Sequence, residues 1–332
     1  MLTGDKAMKR HAALAAIAAG LLGAMVGAAP IMAQDAYPTR RVTLVVPSPA
    51  GSTTDALARL VAEQLQQKWG SPVIVENNSR GLNAGAEQAA RATADGYTLL
   101  VSPPLPLTVA NLLYRDIGYQ PGQFVPISLL AKIPNVLAVR NNFPTKDVKE
   151  LVAFAKANPG KLTYASQGAG STAHLSGAQL EVRAGIKMTH VPYRGSAPAL
   201  NDLIAGHIDL FFDTLTTSVP LFRADKIRIM AVASPERVDS VKELPTIAES
   251  GFPGFRSITW FAMAGPPKTP AALATRINRD VVEILKRPEV DKRLRELRLD
   301  PMVGWPADAA QFFAEETTLW GGVIKEANVT IP

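Results

Sequence analysis

Two stretches of small and hydroxyl-bearing residues are the parts of this chain best suited to chemistry. The first is Pro47-Ser48-Pro49-Ala50-Gly51-Ser52-Thr53-Thr54-Asp55, between the apolar run Val42–Val46 and a helical pattern over 56–69. The second is Ser166-Gln167-Gly168-Ala169-Gly170-Ser171-Thr172, between an apolar run over 162–165 and a helical pattern over 173–183. Each reads as a strand feeding a loop that opens a helix. The first turn of a helix carries backbone N–H groups without intrahelical partners, and the peptide dipoles place partial positive charge there. Small residues let an anion approach that backbone, and hydroxyls add donors. Two such loops can hold a small anion between them.

Other chemistry is thinly supplied. Gly168-Ala169-Gly170-Ser171-Thr172-Ala173 has the form G-x-G-x-x-A after a strand, the context of a dinucleotide fingerprint. That fingerprint needs an acid at the end of the next strand. The strand over 188–191 is instead followed by Pro192-Tyr193-Arg194-Gly195; Arg194 leaves only an NADP-type variant open. There is no G-x-S-x-G elbow, no H-E-x-x-H and no histidine pair at metal spacing. No catalytic residue, metal site or cofactor is expected. His174 lies on the first turn after Ser171-Thr172, beside the anion site, where a structural hydrogen bond is its ordinary role. Asp55 stands in the first turn of its helix, as a cap or dipole partner that also fixes the first loop. Asp213 ends the strand over 208–212. There it can read a ligand group or brace the loop Thr214-Leu215-Thr216-Thr217-Ser218. Trp260 and Phe261 are expected in the core.

These residues need a scaffold, and the hydropathy pattern supplies one. Strand-like runs at 42–46, 73–76, 98–101, 126–130, 136–139, 162–165, 188–191, 208–212, 227–233 and 258–264 alternate with helical patterns at 56–69, 84–94, 146–157, 173–183 and 197–205. Three helices follow, at 270–286, 288–297 and 306–327, each opening on proline. Alternation of this kind builds mostly parallel sheets flanked by helices. The elements are too many for one compact sheet, so two α/β lobes are expected, with a ligand cleft between them. The chain would cross near 130–136 and again near 255–258. That gives a first lobe over 34–133, a second over 134–255, and a return of 256–332 to the first.

Composition narrows the class. The chain has 332 residues, no cysteine, and a formal net charge of +6. No disulfide framework or thiolate site is possible. Lysines and arginines are scattered among acids, with no basic tract, so no nucleic-acid partner is expected. Met8-Lys9-Arg10-His11, an apolar stretch over 12–29, and Ile31-Met32-Ala33 before Gln34 read as a secretory signal over 1–33, cleaved near Ala33. The expected product is periplasmic and monomeric. Met8 is an alternative start to Met1.

Over nearly the whole mature chain the sequence resembles the periplasmic solute-binding proteins of tripartite tricarboxylate transporters, the Bug receptors. The residues that carry the resemblance include Tyr37-Pro38, the first loop from Val45 to Asp55, Val75-Glu76-Asn77 and Asp95-Gly96-Tyr97-Thr98-Leu99-Leu100. They continue with the loop over 166–175, His190-Val191-Pro192-Tyr193-Arg194-Gly195, Pro198-Ala199-Leu200, the stretch 209–213, Leu244-Pro245-Thr246 and Glu249-Ser250-Gly251-Phe252-Pro253-Gly254-Phe255. The resemblance implies a two-lobed periplasmic-binding-protein-like fold that closes on a small organic carboxylate, and a two-component integral-membrane permease as partner. It implies carboxylate capture by Ser48, Ala50, Gly51, Ser52, Thr53, Thr54 and Asp55 with Ser166, Gln167, Gly168, Ala169, Gly170, Ser171, Thr172 and the adjoining His174, partly through water. It implies that the ligand's far end is read around 102–105, 193–197 and 213–217, which adds Ser102, Tyr193, Gly195, Ser196, Ala197, Asp213 and Thr214. One departure stands out. The family often has two or three glycines after the proline of its first loop, and this chain has Gly51-Ser52-Thr53. A direct Ser52 hydroxyl contact can then replace a water-mediated one. An exported NAD(P)-linked oxidoreductase and a ligand sensor for a membrane kinase remain alternatives, and the ligand can be an amino acid, a di- or tricarboxylate or an aromatic acid.

Overall fold

The two loops end parallel strands and begin helices, as their residue types demand. A computed structural model describes residues 37–331; the signal peptide expected over 1–33, with cleavage near Ala33, lies outside them. The first part contains β1 (Val42–Val46), α1 (Thr53–Trp69), β2 (Val73–Asn77), α2 (Leu82–Ala90), β3 (Thr98–Ser102) and a short α3 (Ala110–Leu113). The long β4 (Val125–Arg140) follows, then α4 (Val148–Ala157), β5 (Thr163–Ser166), α5 (Thr172–Ala184), β6 (Thr189–Pro192) and α6 (Ser196–Ala205). Next come β7 (Leu210–Thr214), α7 (Leu215–Arg223), β8 (Ile227–Val232) and β9 (Ile258–Gly265). The chain ends with α8 (Ala271–Leu285), α9 (Pro288–Glu296), β10 (Asp300–Pro301) and α10 (Pro306–Glu326). Residues from Arg40 onward form one unit, to which everything below refers.

The strand order is β2-β1-β3-β9-β4-β7-β5-β6. The expected parallel pairings lie toward both ends: β1 with β2 and β3, and β5 with β6 and β7. Each follows from a helical crossover, which returns the chain in the same direction. The middle is antiparallel. β4 pairs β9 over Val125 to Pro134, then β7 and β8 over Asn135 to Arg140. One strand thus serves both halves of the sheet, where the hydropathy pattern reads two, at 126–130 and 136–139. The pattern breaks at exposed Lys132 and at Pro134. Pro134 has no N–H to give a ladder, and it stands where β4 changes partners, a place that tolerates the loss.

A second difference is α7, which the hydropathy pattern leaves as a loop. It starts with Leu215-Thr216-Thr217-Ser218 and holds Pro220 inside. Short hydroxyl residues compete for backbone hydrogen bonds, and proline removes one, so local preference opposes this helix. Its packing on β4, β7 and β8 overrides that preference.

The C-terminal helix α10 returns against β4 and α5. Trp260 of β9 stacks on Phe313 and meets Phe312 edge-on. The indole N–H groups of Trp260 and Trp320 both donate to Glu316 Oε2, at 2.8 and 3.0 Å, and Arg256 reaches Oε1. A buried carboxylate with this many donors is a satisfied one. Trp260 and Phe261 are buried, as their expected core role requires.

Candidate functional site

A cavity of about 420 Å³ opens among the C-terminal ends of the outer parallel strands. Open α/β sheets place their ligands at such ends. Four helix N-termini reach its wall: α1 at Thr53 and Thr54, α2 at Leu82, Asn83 and Ala84, α5 at Thr172, and α6 at Ser196. Their first N–H groups have no intrahelical acceptor, and their dipoles sum toward the enclosed space. Two helices belong to the β1 end of the sheet and two to the β5 end.

The four are finished differently. Ser52 caps α1, its Oγ accepting from Asp55 N at 3.2 Å, and Ser171 caps α5, its Oγ accepting from His174 N at 3.4 Å. A hydroxyl has one hydrogen and two lone pairs. Acceptance leaves the hydrogen of each serine unspent, and both serines line the cavity. Helices α2 and α6 start after Gly81 and Gly195, with no side-chain cap. Gly195 has φ +108, and a Cβ there would come within 3.2 Å of Pro49 Cγ. Glycine lets this turn close against the first loop.

Beneath the wall lies Asp213, fully buried. Its Oδ1 accepts from Ser196 Oγ at 2.8 Å and Gln167 Nε2 at 2.9 Å. Its Oδ2 accepts from Thr217 Oγ1 at 2.6 Å and Ser218 Oγ at 2.8 Å. Burial pushes its pKa up, against the pull of the bonds from Thr217, Ser196 and Ser218. A carboxylate only accepts, so Thr217 donates to it. Thr217 is then free to accept from Thr214 at 2.9 Å, and Thr214 to accept from Thr53 at 3.0 Å. This run of hydroxyls ties α1 to α7 across the sheet. It consumes the hydrogen of Thr53, as Asp213 consumes that of Ser196. The donors left facing the cavity include the hydroxyl hydrogens of Ser52 and Ser171 and the backbone N–H groups of the first helical turns.

Of the residues expected at the site, Ser48, Ser52, Thr53, Thr54, Gln167, Gly168, Ala169, Ser171, Thr172, Tyr193, Gly195, Ser196 and Thr214 line the cavity. Ala50, Gly51 and Ala197 line a neighbouring hollow of about 280 Å³ that shares Ser52, Gly195 and Ser196 with it. Asp55, Ser102, Ser166, Gly170, His174 and Asp213 lie outside both linings and brace the residues that form them. Asp55 Oδ2 accepts from Gly51 N at 2.9 Å, Oδ1 accepts from Asn77 Nδ2, and Arg59 pairs with the carboxylate. Burial works to raise the Asp55 pKa, and the bonds from Arg59, Gly51 and Asn77 win and lower it. Ser102 Oγ donates to Pro103 O. Ser166 Oγ meets His190 Nε2 at 2.7 Å. Gly170 N donates to His174 Nδ1 at 2.9 Å, and the His174 ring stacks on His190 with 3.7 Å between centroids. Burial lowers the His174 pKa to about 4, and burial with the His174 neighbour lowers that of His190 to about 3. His174 is therefore a neutral prop under the second loop.

The residue patterns miss one wall. Arg80, Gly81, Leu82, Asn83 and Ala84 form a third strand-to-helix turn, between β2 and α2. Its signal was the glycine ahead of an alanine-rich helix, obscured by the larger residues Asn78, Arg80 and Leu82. Tyr114, Thr259 and Phe261 also line the cavity, from distant parts of the chain. Tyr114 OH donates to Ala169 O at 2.8 Å, a contact with no local sequence signal.

An α/β chain whose sheet continues through shared central strands, and whose helix N-termini converge on one cavity, has the form of a solute-binding protein. Solved structures agree. Rpa4515 of Rhodopseudomonas palustris with adipate is 38% identical, covering 89% of this chain and 99% of that one, with a TM-score of 0.84. The periplasmic binding protein BugD is 33% identical over 89% of this chain and 99% of its own, with a TM-score of 0.82. MatC of Rhodopseudomonas palustris with bound malate is 32% identical over 87% of this chain and 100% of its own, with a TM-score of 0.80. Residues 57–329 match the model of the tripartite tricarboxylate transporter family receptor, and the chain belongs to that family. Among the described residues no helix is long and apolar enough to cross a membrane.

Proposed function

We propose that this protein captures a small organic carboxylate in the periplasm and delivers it, chemically unchanged, to a two-component integral-membrane permease. The convergence of four helix N-termini on one cavity carries this reading. A set of N–H donors and positive dipole ends around one cavity favours an anion. Adipate and malate in similar proteins support a carboxylate as the anion. Residues 1–33 would direct export. Residues 34–133 with 256–332 would form one lobe and residues 134–255 the other, with closure bringing the Ser52 and Ser171 loops onto the ligand.

A thermal-shift screen across organic carboxylates tests the proposal. A ligand at a hundred times its dissociation constant should add about 2.7 kcal/mol of stability, a plainly visible shift. A flat response to every carboxylate, with saturable binding of a nicotinamide dinucleotide, would replace this reading with the oxidoreductase one.

The second loop offers a finer measurement. Ser171→Ala removes the cap and the free hydroxyl hydrogen together. Loss of a cap costs about 1 kcal/mol of stability, and loss of a hydrogen bond to a charged group costs roughly 1.5–3 kcal/mol of binding, or about tenfold or more in affinity. Thr172 caps nothing, so Thr172→Val should leave melting of the empty protein nearly unchanged and weaken binding only if its hydroxyl reaches the ligand. Melting and titration of both variants separate the roles. Wild-type affinity in both variants would leave only the backbone of this loop as the anion contact.

A further inference from the structure

Resting on the carboxylate reading, we propose that the Ala169–Gly170 peptide of the second loop is a two-position element, and that Tyr114 is the positioning residue that, with His174, holds it in the setting the ligand meets. Ser171 N donates to Gly168 O at 3.1 Å, which closes a four-residue turn over Gly168-Ala169-Gly170-Ser171. Gly170, its third residue, has φ +74, while Ala169 is not among the residues of positive φ. That combination is a type II turn, which differs from type I chiefly in the orientation of its central peptide. Glycine at the third position tolerates both settings.

The central peptide is gripped at both ends. Its carbonyl, Ala169 O, accepts from Tyr114 OH at 2.8 Å, and its N–H, on Gly170, donates to His174 Nδ1 at 2.9 Å. The two grips come from different places. His174 belongs to α5, the helix that the turn opens, and stacks on His190, whose Nε2 meets Ser166 Oγ at the start of the same loop. Tyr114 comes from the segment after β3, 55 residues before Ala169. In the strand order β9, β4 and β7 stand between β3 and β5. The Tyr114 segment has its own anchorage: Leu105, Leu107, Val109 and Ala110 are buried in one core with Trp260 and Phe313, and Leu113 and Tyr114 pack against it. Leu105 and Leu113 also close over Gly170, where a Cβ would come within 3.0 and 2.7 Å of their methyl groups. Tyr114 and Ala169 both line the cavity. A peptide carries a dipole of about 3.5 D, so its rotation beside Ser171 and the N-terminus of α5 changes the field on a bound anion. Tyr114 thus acts on the ligand through the turn.

Tyr114→Phe keeps the ring in its packing and removes one oxygen. Hydrogen exchange read by mass spectrometry, on purified wild type beside the variant, follows the turn without any ligand. Peptic fragments covering 166–175 should exchange roughly threefold to tenfold faster in the variant, the equilibrium effect of one neutral hydrogen bond. Fragments covering 105–113 and the rest of the sheet should keep wild-type rates. A tyrosine that only fills the core would move its own segment and leave 166–175 alone; that result, or equal exchange throughout, overturns the inference. Adipate and malate, each bound by a similar protein, are the ligand probes. Calorimetric titration should show the same roughly threefold to tenfold loss of affinity in the variant. Unchanged affinity for a probe that binds wild type overturns the inference and leaves the carboxylate reading standing. Faster exchange over 166–175, with no binding of either probe and no melting shift from any other organic carboxylate, supports the grip on the turn and removes the carboxylate reading.

Discussion

Asp213→Ala is expected to cost about 3 kcal/mol of stability or more, and to remove most ligand affinity with it. The alanine leaves Ser196, Gln167, Thr217 and Ser218 without the acceptor that each now uses. Hydrogen bonds to a charged group are worth roughly 1.5–3 kcal/mol each, and a buried donor left unpaired adds its own desolvation cost. The hydroxyls can turn to new partners, so the sum is smaller than four full bonds. The binding loss follows by a different route. Gln167 and Ser196 line the cavity, and Asp213 is what orients them. The relay through Thr217 and Thr214 also loses its sink, which releases Thr53. Asp213→Asn keeps the shape and one accepting oxygen, but its amide needs Thr217 and Ser218 to accept. It should melt between wild type and alanine and bind differently from both. Melting curves of the three proteins, with and without ligand, make the comparison. A difference under about 1 kcal/mol between wild type and alanine would mean that this carboxylate is not the organising acceptor.

Acid should destabilise the protein from about pH 6.5 downward, through His174 and His190. His174 and His190 have folded pKa values of about 4 and about 3, below the ordinary 6.5. The unfolded chain therefore binds more protons in that window, and stability rises with pH across it. The contribution is complete above about pH 6.5 and is lost progressively as pH falls toward about 4, where His174 protonates in the folded state too. One pKa unit corresponds to about 1.4 kcal/mol, so His174 alone commands a few kcal/mol. Its Nδ1 accepts from Gly170 N, and a proton there would destroy that bond and set like charges between stacked rings. His174→Asn keeps an acceptor near the Nδ1 position without a proton to gain. Its melting temperature should vary less between pH 6.5 and 4.5 than that of the wild type. Equal slopes for the two would show that the acid sensitivity lies elsewhere.

The site was legible where its chemistry is local. The Ser52 and Ser171 loops betray themselves by strand, small residues and helix in immediate succession, and both line the cavity. The brace residues were harder to place. Asp55, His174 and Asp213 carry groups that suit a ligand, and the sequence also offers each a bracing role beside Gly51, Gly170 and the loop 214–218. Residue type alone cannot decide between the two, because Asn77, His190, Gln167 and Ser196 are brought to them by packing. The β2–α2 turn escaped because Arg80 and Leu82 interrupt its run of small residues. In the fold, the parallel ends follow from simple alternation. The antiparallel centre does not, because Lys132 and Pro134 cut the period-two signal of β4 and Pro220 hides α7.

The continuity of β4 bears on how chains of this kind can diverge. A strand that supplies the middle of both halves makes neither half a transferable part. A recombination joint between them must fall inside β4 and preserve its register. Slippage by a single residue turns every following side chain to the opposite face. Pro134 and Asn135, where β4 changes partners, are therefore a poor seam for insertion or exchange. The helix-capping loops around the cavity are the freer ground. New ligand preferences can accumulate there, residue by residue, while the spine that joins the halves holds its length.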